Sequence, residues 1–228
     1  MGKLEYGVSV RARPNMRQTR EAAYEHAVAD LSTISPPWGL KGVVIKPLPP
    51  FKKAPGVSYT RELGGPIQSF GIGFVLRHHS GDPPDDPLYD DSLSADIRID
   101  NKSMDYAYFV KTAFPLYVQA IGAYHADFRA FLPSWLKGPE WENGVDVDNC
   151  RQGVQRIWPA NFWDRELCKR AFSLTPEQVV GCLQEHVAEA RVFLDGALII
   201  YSYERVPDAR IPLIDNELRP LLVRHVSS

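Results

Sequence analysis

Apolar and polar residues alternate at the start of the chain. In residues 4–13 every second position is apolar until a proline interrupts the pattern, which is the period of a half-buried strand. Asn15 follows, with Gln18 three residues later, and this pair is a variant of the capping box that begins helices. The helix is predicted to run to about residue 34, with Tyr24, Ala27 and Leu31 on its buried side.

Three more strands are predicted in the first 100 residues. Residues 41–46 centre on two valines and an isoleucine, and residues 70–79 alternate apolar with small or polar side chains. In residues 92–100 the odd positions are apolar and the even positions are polar. This last pattern is typical of a strand that exposes one of its faces to water.

The period changes to three and four residues after Ser103. Aromatic and apolar residues recur at this spacing from Tyr106 to Phe128, which predicts one long helix, or two helices that meet at Pro115.

The C-terminal third of the chain is predicted to hold helices and a hairpin. Helices are expected over residues 161–172 and 175–187, and Thr175 is a well-marked N-cap for the second because a proline and a glutamine follow it at the positions of a capping box. Asp195-Gly196 lies between two apolar runs and predicts a two-residue hairpin turn. A short helix, interrupted by a proline, is expected in the tail after residue 214.

These elements predict an α+β fold, with a mixed or antiparallel sheet of about six strands and four or five helices packed on it. Strands and helices do not alternate regularly, so a doubly wound parallel sheet is not expected. At 228 residues and 44% hydrophobic residues the chain can bury a full core. We expect one domain over residues 1–228, with a possible subdivision into a strand-rich part (1–103) and a helical part with the terminal hairpin (104–228).

Composition indicates a cytoplasmic protein. The three cysteines, Cys150, Cys168 and Cys182, are far apart in sequence, which predicts reduced thiols rather than a disulfide framework or a zinc ribbon. The N-terminal residues lack the pattern of a secretory signal, and no apolar run approaches the length of a membrane span. We therefore expect no contact with a membrane.

Candidate catalytic and metal-binding patterns are weak. His125 and Asp127 have the His-x-Asp spacing of a non-haem iron site, with His186 as a distal ligand, but on a helix a two-residue spacing makes side chains diverge. Cys168 with His186 is a second candidate, as a thiol–imidazole pair, although both are predicted on amphipathic helices. We expect no catalytic residue, cofactor or metal site.

Charge is unevenly distributed along the chain. Residues 1–81 hold 11 Lys and Arg against 5 Asp and Glu, whereas residues 82–150 hold 5 against 13. The basic residues are scattered and carry no module signature, so nucleic-acid binding is not expected. The acidic residues concentrate in a proline-stiffened segment that begins at Asp82 and continues onto the wet side of the strand at 92–100. Such a segment is either a solvated loop or a preformed surface for a basic protein partner.

The second interpretation selects a set of acidic and aromatic residues for the contact. The residues predicted to bind a partner are Asp85, Asp86, Tyr89, Asp90, Asp91, Asp96, Asp100 and Trp141.

In outline the chain resembles bacterial immunity proteins of polymorphic toxin systems. The resemblance rests on the opening strand and helix (residues 6–11, then Asn15 onward), the middle strand at 94–100, and the hairpin at Asp195-Gly196. It is similar to the TsiT-like α+β family of type VI secretion systems, whose members are paired with nuclease toxins of restriction-endonuclease fold. The resemblance implies a protein that binds and neutralises a cognate toxin in the cytoplasm. It implies no residue roles.

Two other classes of function stay open at this point. One is a small enzyme whose active site assembles from residues distant in sequence, with His125, Asp127, Cys168 and His186 as its members. The other is a structural subunit of a phage or a secretion apparatus, which would self-assemble. The oligomeric state is not indicated by the sequence.

Overall fold

The structure is a computed structural model that describes residues 5–44, 56–61, 67–75, 90–98, 105–130 and 150–223. Its strands are β1 (Glu5–Ala12), β2 (Gly56–Arg61), β3 (Ile67–Val75), β4 (Asp91–Arg98), β5 (His125–Ala130), β6 (Ala160–Asp164), β7 (Glu189–Phe193) and β8 (Gly196–Ile200). Its helices are α1 (Arg20–Leu31), α2 (Tyr106–Tyr108, continued by Phe109–Ala113 and Phe114–Ile121), α3 (Arg165–Phe172), α4 (Pro176–Leu183) and α5 (Ile211–Val223).

The strands form one sheet in the order β2-β3-β4-β1-β5-β6-β8-β7. Every neighbouring pair in this order is antiparallel. The predicted α+β class with an antiparallel sheet is confirmed, and within the described residues the sheet has eight strands rather than about six.

β1 lies near the centre of the sheet although it is the first element of the chain. Val8 faces Ala95 of β4 on one side and Phe128 of β5 on the other. Directly opposite residues of antiparallel strands point to the same face, so the alternation along β1 and β4 produces one apolar face. Val8, Ala95 and Phe128 are all buried there, which confirms the face predicted from the alternation.

Helices α1 and α2 cover this apolar face. Tyr24 of α1 packs edge-to-face on Phe74 of β3, with 6.0 Å between ring centroids. Phe109 of α2 lies over Phe128 of β5 at 4.7 Å. Buried aromatic side chains each remove roughly 150–250 Å² from water, so these contacts hold the helical layer on the sheet and leave the other face of β1 and β4 for polar residues.

Pro115 lies inside α2 without breaking it. The turn Phe109–Ala113 is a π-helix, and the N–H of Phe114 donates to the carbonyl of Phe109, five residues earlier. A proline has no N–H and its ring clashes with the carbonyl four residues before it. The wider turn next to the proline accommodates this clash locally, so the two helical segments predicted to meet at Pro115 form one continuous helix.

α2 ends earlier than the sequence pattern predicts. Gly122 adopts a left-handed φ of 67° and caps the helix, as glycine does at many helix C-termini. The predicted continuation to Phe128 is therefore wrong, and residues from His125 onward form β5.

α1 begins later than predicted. Its N-cap is Thr19, whose hydroxyl accepts a hydrogen bond from the N–H of Ala22 at 3.2 Å. Asn15 instead stabilises a preceding turn, because its side chain accepts from the N–H of Arg17 at 3.0 Å.

Two further segments differ from the prediction. Residues 41–44 form a turn rather than the start of a strand, and residues 45–46 lie outside the described part. The predicted helix at 161–172 begins only at Arg165, where Asp164 caps it by accepting from the N–H of Leu167 at 2.7 Å; the residues before it form β6. By contrast, the capping box of Thr175 is present at the start of α4 as predicted.

The predicted hairpin is present, but its turn lies one residue earlier. Leu194 and Asp195 have φ values of 46° and 60°, and Phe193 pairs with Gly196, which is already part of β8. A Cβ at Gly196 would lie 2.5 Å from the carbonyl oxygen of Trp163. The glycine is therefore needed for close strand packing rather than for the turn.

Candidate functional site

The face of the sheet opposite α1 and α2 is lined by polar and small residues. Antiparallel pairing places Ser94, Ser9 and Asp127 in one line across β4, β1 and β5, and Asp96, Gly7 and Arg129 in the next. We call this surface the polar face. Its members on β3, β4, β1 and β5 are Ser69, Ser92, Ser94, Asp96, Ser9, Arg11, His125, Asp127 and Arg129.

Asp96 and Ser94 are the exposed residues of β4 on the polar face. Both side chains reach water, whereas Leu93, Ala95 and Ile97 of the same strand are 1% exposed. Ser69 of β3 donates a hydrogen bond from its hydroxyl to the Asp96 carboxylate. The neighbouring strand thus helps to orient a carboxylate that faces solvent in the middle of the sheet.

His125, Asp127 and Arg129 follow one another on the same side of β5. His125 Nε2 lies 3.9 Å from Asp127 Oδ2, and Arg129 Nε donates to Asp127 Oδ1 at 2.8 Å. The prediction placed His125 and Asp127 on a helix, where their side chains would diverge. On a strand a two-residue spacing puts them on the same face, so that expectation is wrong.

The surroundings of His125 favour a neutral imidazole. Burial lowers the pKa of His125; Asp127 opposes this effect, while Arg129 and Arg11 add to it. Nδ1 of the imidazole is buried and has no hydrogen-bond partner among the residues that the structure describes. The charge of Asp127 is balanced by Arg129 rather than by a histidinium, and the three side chains form a fixed polar unit on β5.

Asp90 is the centre of a buried polar cluster just before β4. Arg151 Nε donates to Asp90 Oδ1 at 2.9 Å, and the hydroxyl of Tyr124 donates to Oδ2 at 2.6 Å. Cys150 Sγ lies 3.0 Å from the same hydroxyl. Both carboxylate oxygens are therefore engaged inside the protein.

Burial dominates the acid–base behaviour of this cluster. It raises the pKa of the Asp90 carboxyl, against the opposing effects of the hydrogen bonds from Tyr124 and Arg151. Burial also raises the pKa of the Cys150 thiol, so the thiolate that a nucleophile requires is disfavoured. The arrangement ties β4, β5 and the segment at 150–151 together.

The predicted contact residues divide into three groups. Asp90 and Asp91 are buried, with 3% and 5% exposure, so the expectation that they belong to an acidic surface is wrong. Asp96 is exposed on the polar face. The remaining residues lie outside the described part of the chain; they are Asp85, Asp86, Tyr89, Asp100 and Trp141.

The residues of the alternative enzyme site have different surroundings. Cys168 is fully buried in α3, where burial raises its pKa to about 12, and its thiol contacts the carbonyl oxygen of Trp163 at 3.5 Å. His186 is exposed in the turn after α4. The structure thus brings His125 and Asp127 together on one face, and it places the buried Cys168 and the exposed His186 in unlike environments.

Comparison with known proteins finds no family model and no curated protein that matches this chain. Within the described ranges no group of three or more His, Cys, Asp and Glu side chains is arranged to hold a metal ion. Across those same ranges, none of the helices has both the length and the apolar character that crossing a bilayer requires.

Proposed function

We propose that this protein is an immunity protein that binds a cognate toxin, most simply a cytoplasm-acting nuclease, and neutralises it by covering its active or substrate-binding surface. The exposed polar side of β4, with Asp96 at its centre, supports this proposal. This surface lies on an inner strand of the sheet, between β3 and β1.

The backbone of β4 is held on both sides. It pairs with β1 from Asp91 to Arg98 and with β3 from Ser92 to Ile97, and its apolar side chains are anchored in the core. A surface of this kind needs little ordering when it binds, and preorganisation of this sort increases affinity. A solvated loop would have to be ordered on binding, so the sheet face is favoured over a loop as the binding surface.

The charge of Asp96 suits a basic partner. Enzymes that act on nucleic acids present positive charge to the phosphate backbone, and the Asp96 carboxylate, oriented by the hydroxyl of Ser69, can bind to such a positive surface. Electrostatic complementarity mainly raises the association rate and selects the partner. Because Asp90 and Asp91 are internal, we propose the polar side of β4 as the contact surface in place of these two residues. The other residues predicted to contribute are Asp85, Asp86, Tyr89, Asp100 and Trp141.

Protection of growing cells tests the proposal directly. The toxin candidate is the product of the gene adjacent to the one for this chain, and co-expression should restore growth and yield a stoichiometric complex in a pull-down. Asp96→Lys should slow association by about tenfold at low ionic strength and weaken its salt dependence. Growth arrest despite a well-expressed, folded wild-type chain would refute the function.

A matched control separates the surface from net charge. Glu25→Lys makes the same change of charge at an exposed position of α1, in the helical layer on the other side of the sheet. It should leave the association rate at the wild-type value. Equal effects of both substitutions would show that Asp96 acts only through net charge and would place the contact elsewhere.

A further inference from the structure

β7 forms one edge of the sheet. It pairs with β8 on its inner side, and no other described strand pairs with its outer side. Phe193 and Gly196 lie opposite each other across the two-residue turn, and in such a hairpin this pair exchanges both of its backbone hydrogen bonds. Because inward and outward groups alternate along an antiparallel strand, the N–H and C=O groups of Glu189, Arg191 and Phe193 point inward to β8, and those of Ala190 and Val192 point outward.

The side chains of this edge carry a self-complementary pattern. Glu189 and Arg191 lie on one face, where Arg191 Nε donates to Glu189 Oε1 at 2.6 Å. Ala188, Ala190 and Val192 lie on the other face, and Val192 is 44% exposed. One face of β7 therefore carries an acidic and a basic residue, and the other carries small apolar residues. A second, antiparallel copy of the strand can place opposite charges on the first face and apolar residues on the second face against these.

We propose that two copies of this chain pair antiparallel through β7, with Ala190 facing Ala190 of the second copy across a two-fold axis. Glu189 then lies opposite Arg191 of the second copy, and Ala190 exchanges both of its outward backbone hydrogen bonds with Ala190 of the second copy. On the other face, the exposed Val192 packs on Ala188 of the second copy. The two sheets become one continuous sheet.

Charge selects this register over its neighbour. In the neighbouring register the two strands are shifted by two residues, so that the two-fold axis passes through Arg191. The outward backbone groups can still pair there, but Arg191 lies opposite Arg191 of the second copy. Like charges directly opposite one another in a sheet are destabilising, whereas opposite charges are stabilising. A C2 interface is self-complementary by definition, and the Glu-Ala-Arg sequence meets that condition only with Ala190 at its centre.

This inference is independent of the proposed function, and reversed charges test it. Glu189→Arg and Arg191→Glu each place like charges opposite one another in the dimer, so each variant alone should sediment as a monomer at concentrations where the wild-type chain is a dimer. Mixed in equal amounts, the two variants present opposite charges again and should form a heterodimer. Glu25→Arg on α1 is the matched control and should dimerise like the wild type.

Several results would overturn the proposal. They are a wild-type chain that is monomeric over the whole accessible concentration range, a dimer that survives both single reversals, and folded monomeric variants that do not associate when mixed. Circular dichroism establishes that the variants are folded. If they are not, amide hydrogen exchange of the wild type decides. The N–H of Ala190 should be protected at high concentration and exchange rapidly on dilution, and an exchange rate independent of concentration refutes the pairing.

Discussion

Replacing Asp90 with alanine should lower the free energy of unfolding by about 3–5 kcal/mol, the usual cost of leaving one partner of a buried ion pair without the other. The guanidinium of Arg151 is only 3% exposed, and the Asp90 side chain is fully buried. Without the carboxylate, Arg151 keeps a buried charge and Tyr124 loses the acceptor of its hydroxyl. The stability of the protein thus depends on a residue that the sequence pattern had placed on its surface.

A double-mutant cycle isolates the pair. Arg151→Met should be about as costly as Asp90→Ala, because it leaves the carboxylate buried without its countercharge. The combined variant should cost less than the sum of the two, since neither charge is then left alone. A coupling of about 1–3 kcal/mol is expected for residues in such contact.

Urea unfolding followed by the fluorescence of the five tryptophans measures these free energies by linear extrapolation. Glu166→Ala is a suitable control, because it removes the partly exposed pairs with Arg170 and Arg13, and such pairs contribute only about 0.2–1 kcal/mol each. If Asp90→Ala costs no more than the control, or if the two single substitutions add to within about 0.5 kcal/mol, the buried pair does not have the role assigned to it.

Two further predictions concern β5 and the hairpin. Because burial lowers the pKa of His125, its contribution to stability is complete above the unfolded value of about 6.5 and is lost as the pH falls through that value towards the folded pKa. His125→Gln should therefore reduce the loss of unfolding free energy between pH 7.5 and pH 5.5. At the hairpin, Gly196→Ala should cost about 1–3 kcal/mol by overpacking against Trp163, whereas Leu194→Gly should raise stability by about 1 kcal/mol because it relieves a left-handed non-glycine residue, both measured as shifts in thermal and urea midpoints. Opposite signs at either position would contradict the assigned roles of close packing and turn strain.

β1 and β4 were predicted correctly because their two faces differ. β1 and β4 alternate because one face is buried by α1 and α2 and the other is partly wet, so periodicity alone reveals them. β6 is buried at four of its five residues, and a strand buried on both faces loses its alternation. β5 does alternate, because His125, Asp127 and Arg129 share one face, but Tyr124 and Phe128 also continue the three- and four-residue spacing of the helix before them. This overlap explains the wrong assignment of residues 124–128.

The candidate site was predictable only in part. The exposure of Asp96 follows from the alternation of β4 and is observed. The burial of Asp90 could not be read from its neighbours, because its partners Tyr124 and Arg151 are 34 and 61 residues away in sequence. In the sequence Asp90 is one of several carboxylates in an acidic segment. Only the tertiary fold brings the Arg151 guanidinium next to it, and this countercharge lowers the cost of burying the carboxylate.

The central position of β1 has a consequence for how the chain matures during synthesis. Val8 finds its two neighbours only at Ala95 and Phe128, so the ribosome must add 120 residues after Val8 before the second one exists. At about 5–20 residues per second this takes roughly 6–24 seconds, and until then β1 lacks its neighbour on the β5 side. Translation speed and holding chaperones should therefore affect the yield of native protein more than the stability of the finished fold would suggest, and β1 is where an aggregating nascent chain would make its contacts.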